Sequence, residues 1–401
     1  MLTADEPQPT LSPSSAKPPI GEPTATAPKT SDLVQTQPQP LPEDDNQTPV
    51  VIITGSSGMI GTPVCLRLAE RGYQVAALDR PGAPHAPEHH PLVTEFECDL
   101  TDEDSVKGAI DQIGNQFGRD IQSVIHLAAY YDFSGADSPL YQEVTVDGTD
   151  RLLRQLSDFK LHQFLFSSSM LVHRPCEIGQ HIHENDPLEA KWPYPASKIE
   201  TETLIREKYA TVPSVFLRIA GVYTDWGKQP TLVQQIKRIN EGQFESHFFP
   251  GDRNAGQSCL HLDDTVDAIV RTVEHRAALP FHSAILIGEP DPPSYQQLQD
   301  TISRCLNHDG WTTMWIPPAI AKLGASVIDS FSSGKSFIKP FMIQLADDHY
   351  ALDIEYAKNT IGWEPTHRLI DEVPKIVQRL KDDPESWYER NGLEAPEATA
   401  H

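Results

Sequence analysis

Apolar residues are sparse over the first 48 positions and then cluster abruptly. Val50 to Ile53 is a short β-branched run, and Gln74 to Leu78 is a second. Further runs fall at Val93 to Phe96, Val124 to Leu127, Phe164 to Ser167 and Val215 to Ile219. Short apolar runs bounded by turn formers predict strands buried on both faces. Between most of them the apolar positions recur with helical period, as in Val64 to Ala69, Thr101 to Phe117 and Val144 to Leu156. Strands alternating with helices require parallel crossovers. The fold class is therefore α/β, a Rossmann-type doubly wound parallel sheet with a smaller, less regular C-terminal region that binds the substrate. Residues 1–48 predict a disordered Pro-rich leader, because too few apolar side chains stand there to offset the entropy of ordering.

The first strand runs into Thr54-Gly55-Ser56-Ser57-Gly58-Met59-Ile60-Gly61, which opens the first helix. Gly55 suits a tight turn, Gly58 lets backbone approach a pyrophosphate, and Gly61 allows close helix–strand packing. The diphosphate rests on the helix N-terminus, along Ser57, Met59 and Ile60. Asp79 ends the second strand, where a carboxylate accepts hydrogen bonds from ribose hydroxyls and repels a 2′-phosphate. NAD is expected ahead of NADP, with Arg80 beside it. Asp99 and Leu100 follow the third strand, where Asp99 is placed to reach the adenine.

Tyr194 and Lys198 stand at i and i+4 of Tyr194-Pro195-Ala196-Ser197-Lys198, on one face of a helix whose first turn suits Pro195. An ordinary phenol ionises near pH 10, too high for proton transfer at neutrality. A neighbouring ammonium and the positive nicotinamide ring of oxidised cofactor favour the phenolate. The strand Phe164 to Ser169 ends in hydroxyls.

With these motifs the chain resembles the extended short-chain dehydrogenase/reductases, the NAD-dependent epimerase/dehydratase family. The resemblance runs from about Val50 to Pro365. It takes in the glycine loop, His126 to Ala129, the Ser167-Ser168-Ser169 end of the strand, the Tyr194 to Lys198 segment, Leu217 to Tyr223, His261 to Asp264 and Ile361 to Pro365. It implies Tyr194 as general acid/base, Lys198 as its activator and a ribose ligand, and Ser169 as hydrogen-bond partner of the reacting oxygen. Leu127, Ala128 and Ala129 line the cofactor groove, and Arg218 supports its wall. A homodimer through the helices flanking the catalytic segment is implied as well.

Departures from the family pattern shape the substrate expectation. Nucleotide-sugar epimerases of the family usually carry Asn where Gly221 stands and Arg where Gln257 stands. Met170 and Leu171 occupy the positions of the Asp-Glu pair of dehydratases. The 3β-hydroxysteroid dehydrogenase/reductase-like branch is therefore expected ahead of the nucleotide-sugar epimerase branch, with Ser169, His173, Gly221 and Arg253 as candidate substrate contacts. Residues 49–220 form the expected NAD-binding Rossmann domain. Residues 221–393 form the substrate-binding region, with strands returning to the sheet, and 394–401 a loose tail.

The net charge of -25 excludes a basic nucleic-acid surface and disfavours an anionic membrane. No run approaches the roughly 18 apolar residues of a bilayer span. Five separated cysteines, odd in number and without a CxxC pair, fit neither a disulfide framework nor a zinc site. His89, His90, His181 and His183 lack accompanying ligands, so no metal is expected. The expected function is NAD(P)-dependent hydride transfer at a secondary alcohol or ketone of a small-molecule substrate, in the cytoplasm. The alternatives are a nucleotide-sugar epimerase and a non-catalytic dinucleotide-binding protein.

Overall fold

β1 (Val50–Thr54) is buried along its whole length. Val51 and Ile53 face one core, packed with Val64 and Leu68 of α1 (Gly61–Glu70) and Ile269 of α6 (Leu262–Glu274). Ile52 faces the other core, shared with Ile110 of α2 (Glu103–Phe117), Leu152 of α3 (Asp147–Gln155) and Ile205 of α4 (Pro193–Lys208). The period-2 geometry of a strand thus puts helices on both sides of one sheet, which is why its strands read as unbroken apolar runs. In this computed structural model, residues 48–84, 90–132, 134–308, 311–317, 319 and 340–396 are described. The expected leader, much of the apolar stretch Ile316 to Phe331, His89 and the end of the tail lie outside them.

The sheet is completed by β2 (Gln74–Asp79), β3 (Val93–Glu97), β4 (Ser123–His126), β5 (Phe164–Ser169), β6 (Ser214–Ile219) and β7 (His282–Ile287). Its order is β7-β6-β5-β4-β1-β2-β3, and every pairing is parallel. The chain winds outward from β1 to β3 and then returns to β4 on the other side of β1. That reversal opens a crevice at the C-terminal ends of β1 and β4, the place where doubly wound sheets bind ligands.

Two local departures bear on the site. β5 continues past the apolar run, pairing Ser167 with Leu217 and Ser169 with Ile219 of β6, so the hydroxyls stay within the ladder. The helix expected at Val144 to Leu156 begins earlier, as a π-helical turn over Tyr141–Val146 that leads into α3. A third core joins Tyr223, Leu232 and Ile236 of α5 (Pro230–Asn240), Ile302 of α7 (Tyr295–Cys305) and Val373 of α8 (Leu369–Asp382). Among the described residues no helix is long and apolar enough to cross a membrane.

Candidate active site

The glycine loop forms the first wall of the crevice. Gly55 has φ +70, and a Cβ there would lie 2.9 Å from the Ala128 amide nitrogen, so the β1 turn and the end of β4 touch backbone to backbone. A Cβ at Gly61 would overlap the Gly55 carbonyl oxygen, which locks the start of α1 against the turn. Asp79 fixes the loop from β2. Its Oδ2 accepts from the Ser57 amide at 2.9 Å and the Ser57 hydroxyl at 2.7 Å, and its Oδ1 accepts from the Arg80 amide at 2.8 Å. The first turn of α1 carries no acidic residue, and Ile60 offers it no side-chain cap. Gly58 and Met59 are exposed at the rim. Uncapped amide donors, a glycine at the approach and a carboxylate at the end of β2 fit a dinucleotide.

The floor comes from β4. His126 is fully buried, with Nδ1 2.7 Å from Thr54 Oγ1 and Nε2 2.9 Å from Thr149 Oγ1. Burial, assisted by the nearby Lys198 charge, pushes its pKa down to about 3. Leu127, Ala128 and Ala129 leave the strand half-buried along the crevice, and the Ala128 amide donates to Thr54 Oγ1 at 3.2 Å. Asp99 Oδ1 accepts from the Thr101 amide at 2.9 Å and its hydroxyl at 2.7 Å. Leu100 is buried in the core rather than open to the crevice, with Gly148 packed closely against it.

Ser169, Tyr194 and Lys198 come together at the end of β5 and the start of α4. Trp192 is the N-cap of α4 and Pro193 its first residue, so a proline with preset φ starts the helix one position before Tyr194. Burial pushes the Tyr194 phenol's pKa up to about 12, and the nearby Ser169 hydroxyl works to lower it. Lys198 lies one turn on, with Nζ 5.7 Å from the Tyr194 ring centroid. It donates to the Ser167 carbonyl oxygen at 2.7 Å. Burial pulls its pKa down to about 7, against the opposing pull of Glu202.

Several contributors carry no sequence signal. The Tyr131 ring stands edge-on to Tyr194 at 5.0 Å, and Trp192 leans on it from 5.4 Å, so two aromatics flank the phenol. Glu202 and Arg218 form a buried ion pair behind Lys198, with Nη2 and Oε2 2.7 Å apart. Arg218, expected to support the groove wall, is thus a strut between α4 and β6.

The expected substrate contacts, unlike Ser169, Tyr194 and Lys198, are not gathered in one place. His173 is fully buried with Nε2 2.9 Å from Arg218 Nη1, so it offers no surface to a substrate. Arg253 is exposed and donates to the Thr313 carbonyl oxygen at 2.8 Å, outside the chamber lined by Leu171 and Trp192, near neighbours of Ser169 and Tyr194 in the chain. Gly221 sits in a short strand beside Cys259, where a Cβ would meet its Sγ at 3.5 Å. That chamber, about 260 Å³, is lined by Leu171 and Trp192 together with Phe248, Phe249, Tyr295 and Met342. Gln257 lies on its lining.

His261, Asp263 and His367 bring potential ligand atoms within 4.8 Å of one another. The His rings also have other partners. His367 Nδ1 lies 3.0 Å from Asp264 Oδ2, and His261 Nδ1 accepts from the Asp263 amide at 3.2 Å. Asp264 further accepts from Thr366 Oγ1 at 2.7 Å, and its carbonyl oxygen from Trp363 Nε1 at 3.0 Å. The segments His261 to Asp264 and Ile361 to Pro365 are therefore clamped to each other. His181 and His183 face Asp291 at 3.6 Å and Asp353 at 3.4 Å respectively.

The model of the NAD dependent epimerase/dehydratase family matches residues 51–288. A UDP-glucose 4-epimerase of Halalkalibacterium halodurans is 31% identical over 245 residues, which cover 56% of this chain and 71% of that protein. The UDP-glucose 4-epimerase of Bacillus subtilis is 25% identical over 252 residues, covering 56% of this chain and 72% of the other. Among solved structures, the UDP-glucose 4-epimerase of Thermotoga maritima superposes with a TM-score of 0.61 at 19% identity, over 84% of this chain and all of that one. The dTDP-glucose 4,6-dehydratase of Bacillus anthracis superposes with a TM-score of 0.63 at 17% identity, over 85% and 99%.

Proposed function

The chain belongs to the NAD dependent epimerase/dehydratase family, and from that membership we propose that it epimerises a secondary carbinol carbon by reversible hydride transfer. Its cofactor is NAD. The observation that carries the reading is the convergence of Ser169, Tyr194 and Lys198 at the end of β5 and the start of α4, with the Lys198 ammonium 5.7 Å from the Tyr194 ring centroid. The sequence relatives, named as UDP-glucose 4-epimerases, weigh toward the epimerase alternative, ahead of the dehydrogenase that the sequence motifs put first.

The glycine loop from Gly55 to Gly61, Asp79, Leu127 to Ala129 and Lys198 would hold NAD, which supplies the hydride acceptor and donor when bound. Ser169 holds the reacting oxygen and Tyr194 takes its proton, then returns it. Lys198, on the Ser167 carbonyl, keeps a positive charge beside the phenol whenever it is protonated. Tyr131 and Trp192 exclude water from the flanks of that phenol. Residues 221–393 supply most of the substrate chamber.

A second reading, a dehydrogenase or reductase of an alcohol with an apolar body, is favoured by the chamber itself. Its walls are aromatic and aliphatic, with Gln257 where nucleotide-sugar epimerases of the family carry Arg. The deciding experiment is the amount of NAD(H) retained through gel filtration. Stoichiometric retention supports epimerisation with a resident cofactor. An empty site that binds added NAD supports the dehydrogenase. A chain that binds neither NAD nor NADP has neither function.

A further inference from the structure

The chamber lined by Trp192, whose ring packs on Tyr194, is apolar but for a few polar groups, and most of these are already committed. The Gln235 amide donates to Gln299 at 2.7 Å, Thr231 donates to Gln229 at 2.8 Å, and Asp348 is paired with Lys191 at 2.5 Å. Arg238 of α5 is different. It lines the chamber and is half-buried. Its one hydrogen bond among the described residues runs from Nε to the Gln234 carbonyl oxygen of its own helix, at 3.2 Å. Among those residues no carboxylate lies within ion-pair distance of its terminal nitrogens. The acid that acts on it across space is Glu245, which is itself exposed.

A guanidinium stays protonated at any physiological pH. Held against an apolar wall without a counter-charge, it is costly unless a ligand anion completes it. The neighbouring surface specifies the rest of that ligand. Phe249 and Tyr295 stack face to face with centroids 3.7 Å apart, and Leu298, Met342 and Ile343 continue the same lining. The other charged lining residue, Asp348, is an anion. Lys191 compensates its charge, so Arg238 is the one uncompensated charge among the described lining residues, which suits a single anionic group.

We propose that Arg238 anchors the substrate by one anionic group, a carboxylate or a phosphate monoester, attached to an apolar body that fills the chamber. This rests on the hydride-transfer chemistry proposed above, common to both of its readings, and specifies the substrate class. Arg238 is a specificity residue in this scheme. It takes no part in proton or hydride movement.

The test is calorimetric titration of the full chain, first with NAD and then, with NAD saturating, with octanoate, octyl phosphate, octanol and UDP. One charge-assisted contact predicts that octanoate or octyl phosphate binds about tenfold or more tightly than octanol. The better of the two anions identifies the group. Arg238→Met should erase that preference while leaving octanol binding unchanged, and Arg238→Lys should keep part of it. The proposal is overturned if Arg238→Met retains the preference for anions, if Arg238→Lys loses it as fully as a neutral side chain, or if UDP outcompetes both octyl anions. Failure of the hydride-transfer reading appears separately, as absence of NAD binding in the first titration.

Discussion

Replacing Glu202 with leucine strips the counter-charge from a guanidinium that has no route to solvent. Glu202 and Arg218 are 2% and 3% exposed. Their contact is two-pronged, Nη2 to Oε2 at 2.7 Å and Nε to Oε1 at 3.1 Å, and the Ser168 hydroxyl adds a 2.6 Å bond to Oε1. After the substitution Arg218 keeps only His173 and the Glu184 carbonyl oxygen as nearby partners. Breaking a buried pair from one side costs about 3–5 kcal/mol, a large part of the roughly 5–15 kcal/mol that holds a folded chain together. Arg218→Met should cost a similar amount. The double variant should recover most of the loss, because an apolar pair leaves no charge to solvate. Urea unfolding followed by tryptophan fluorescence measures all four chains, with an unchanged slope required for the comparison. Single losses below about 1 kcal/mol, or a double variant as unstable as the sum of the singles, would refute the reasoning. Glu202 also supports the charge of Lys198, so in Glu202→Leu the lysine should deprotonate below about pH 7. The acid limb of the pH–rate profile should move with it, an effect that loss of stability alone would not produce.

Two further outcomes are expected. Tyr194→Phe should lower turnover by about 10²–10⁴-fold, the range of general acid–base catalysis, while NAD affinity measured by fluorescence titration stays the same; retained turnover removes Tyr194 from the chemistry. Glu289 is 3% exposed and burial pushes its pKa up to about 7, although the Leu369 amide donates to it. A raised carboxylate favours the folded state below its unfolded value near 4.5, and that contribution is lost as pH rises through about 7. Glu289→Gln should therefore flatten the fall in stability between pH 5 and 8, by up to roughly 3 kcal/mol, and an unchanged slope would mean that the carboxyl does not titrate there.

The half of the site encoded locally could be read from sequence. Gly55, Gly58, Gly61 and Asp79 lie in one turn and the two strands beside it, so spacing alone predicts the local geometry they adopt. Tyr194 and Lys198 share a helix, and Ser169 ends an apolar strand. What escaped depends on long-range packing. Tyr131 and Trp192 reach Tyr194 through loop paths that have no periodicity. Arg238 reads as one more basic residue of an amphipathic helix, and its position on an apolar wall emerges only when α5 is set against Tyr295 and Met342. His173 reads as a loop histidine facing substrate because burial is invisible one residue at a time; the guanidinium of Arg218, distant in sequence, draws it inward. The burial of the Leu100 side chain is hidden in the same way, since Gly148 lets α3 close over it.

The saturated histidine beneath the crevice has a bearing on how kinetics of this protein should be interpreted. Thr54 and Thr149 occupy both ring nitrogens of His126, and its pKa is near 3. The imidazole is then a titration spectator: it sits beside the reacting groups, yet keeps one protonation state across the range in which an assay would be run. An inflection of rate near neutrality, where a histidine would be the customary suspect, is expected to follow the amine of Lys198, with the Glu289 carboxyl, also near 7, acting through stability. A change in solvent acidity is thus expected to act on α4 through Lys198 and to leave His126 in the sheet below electrically constant.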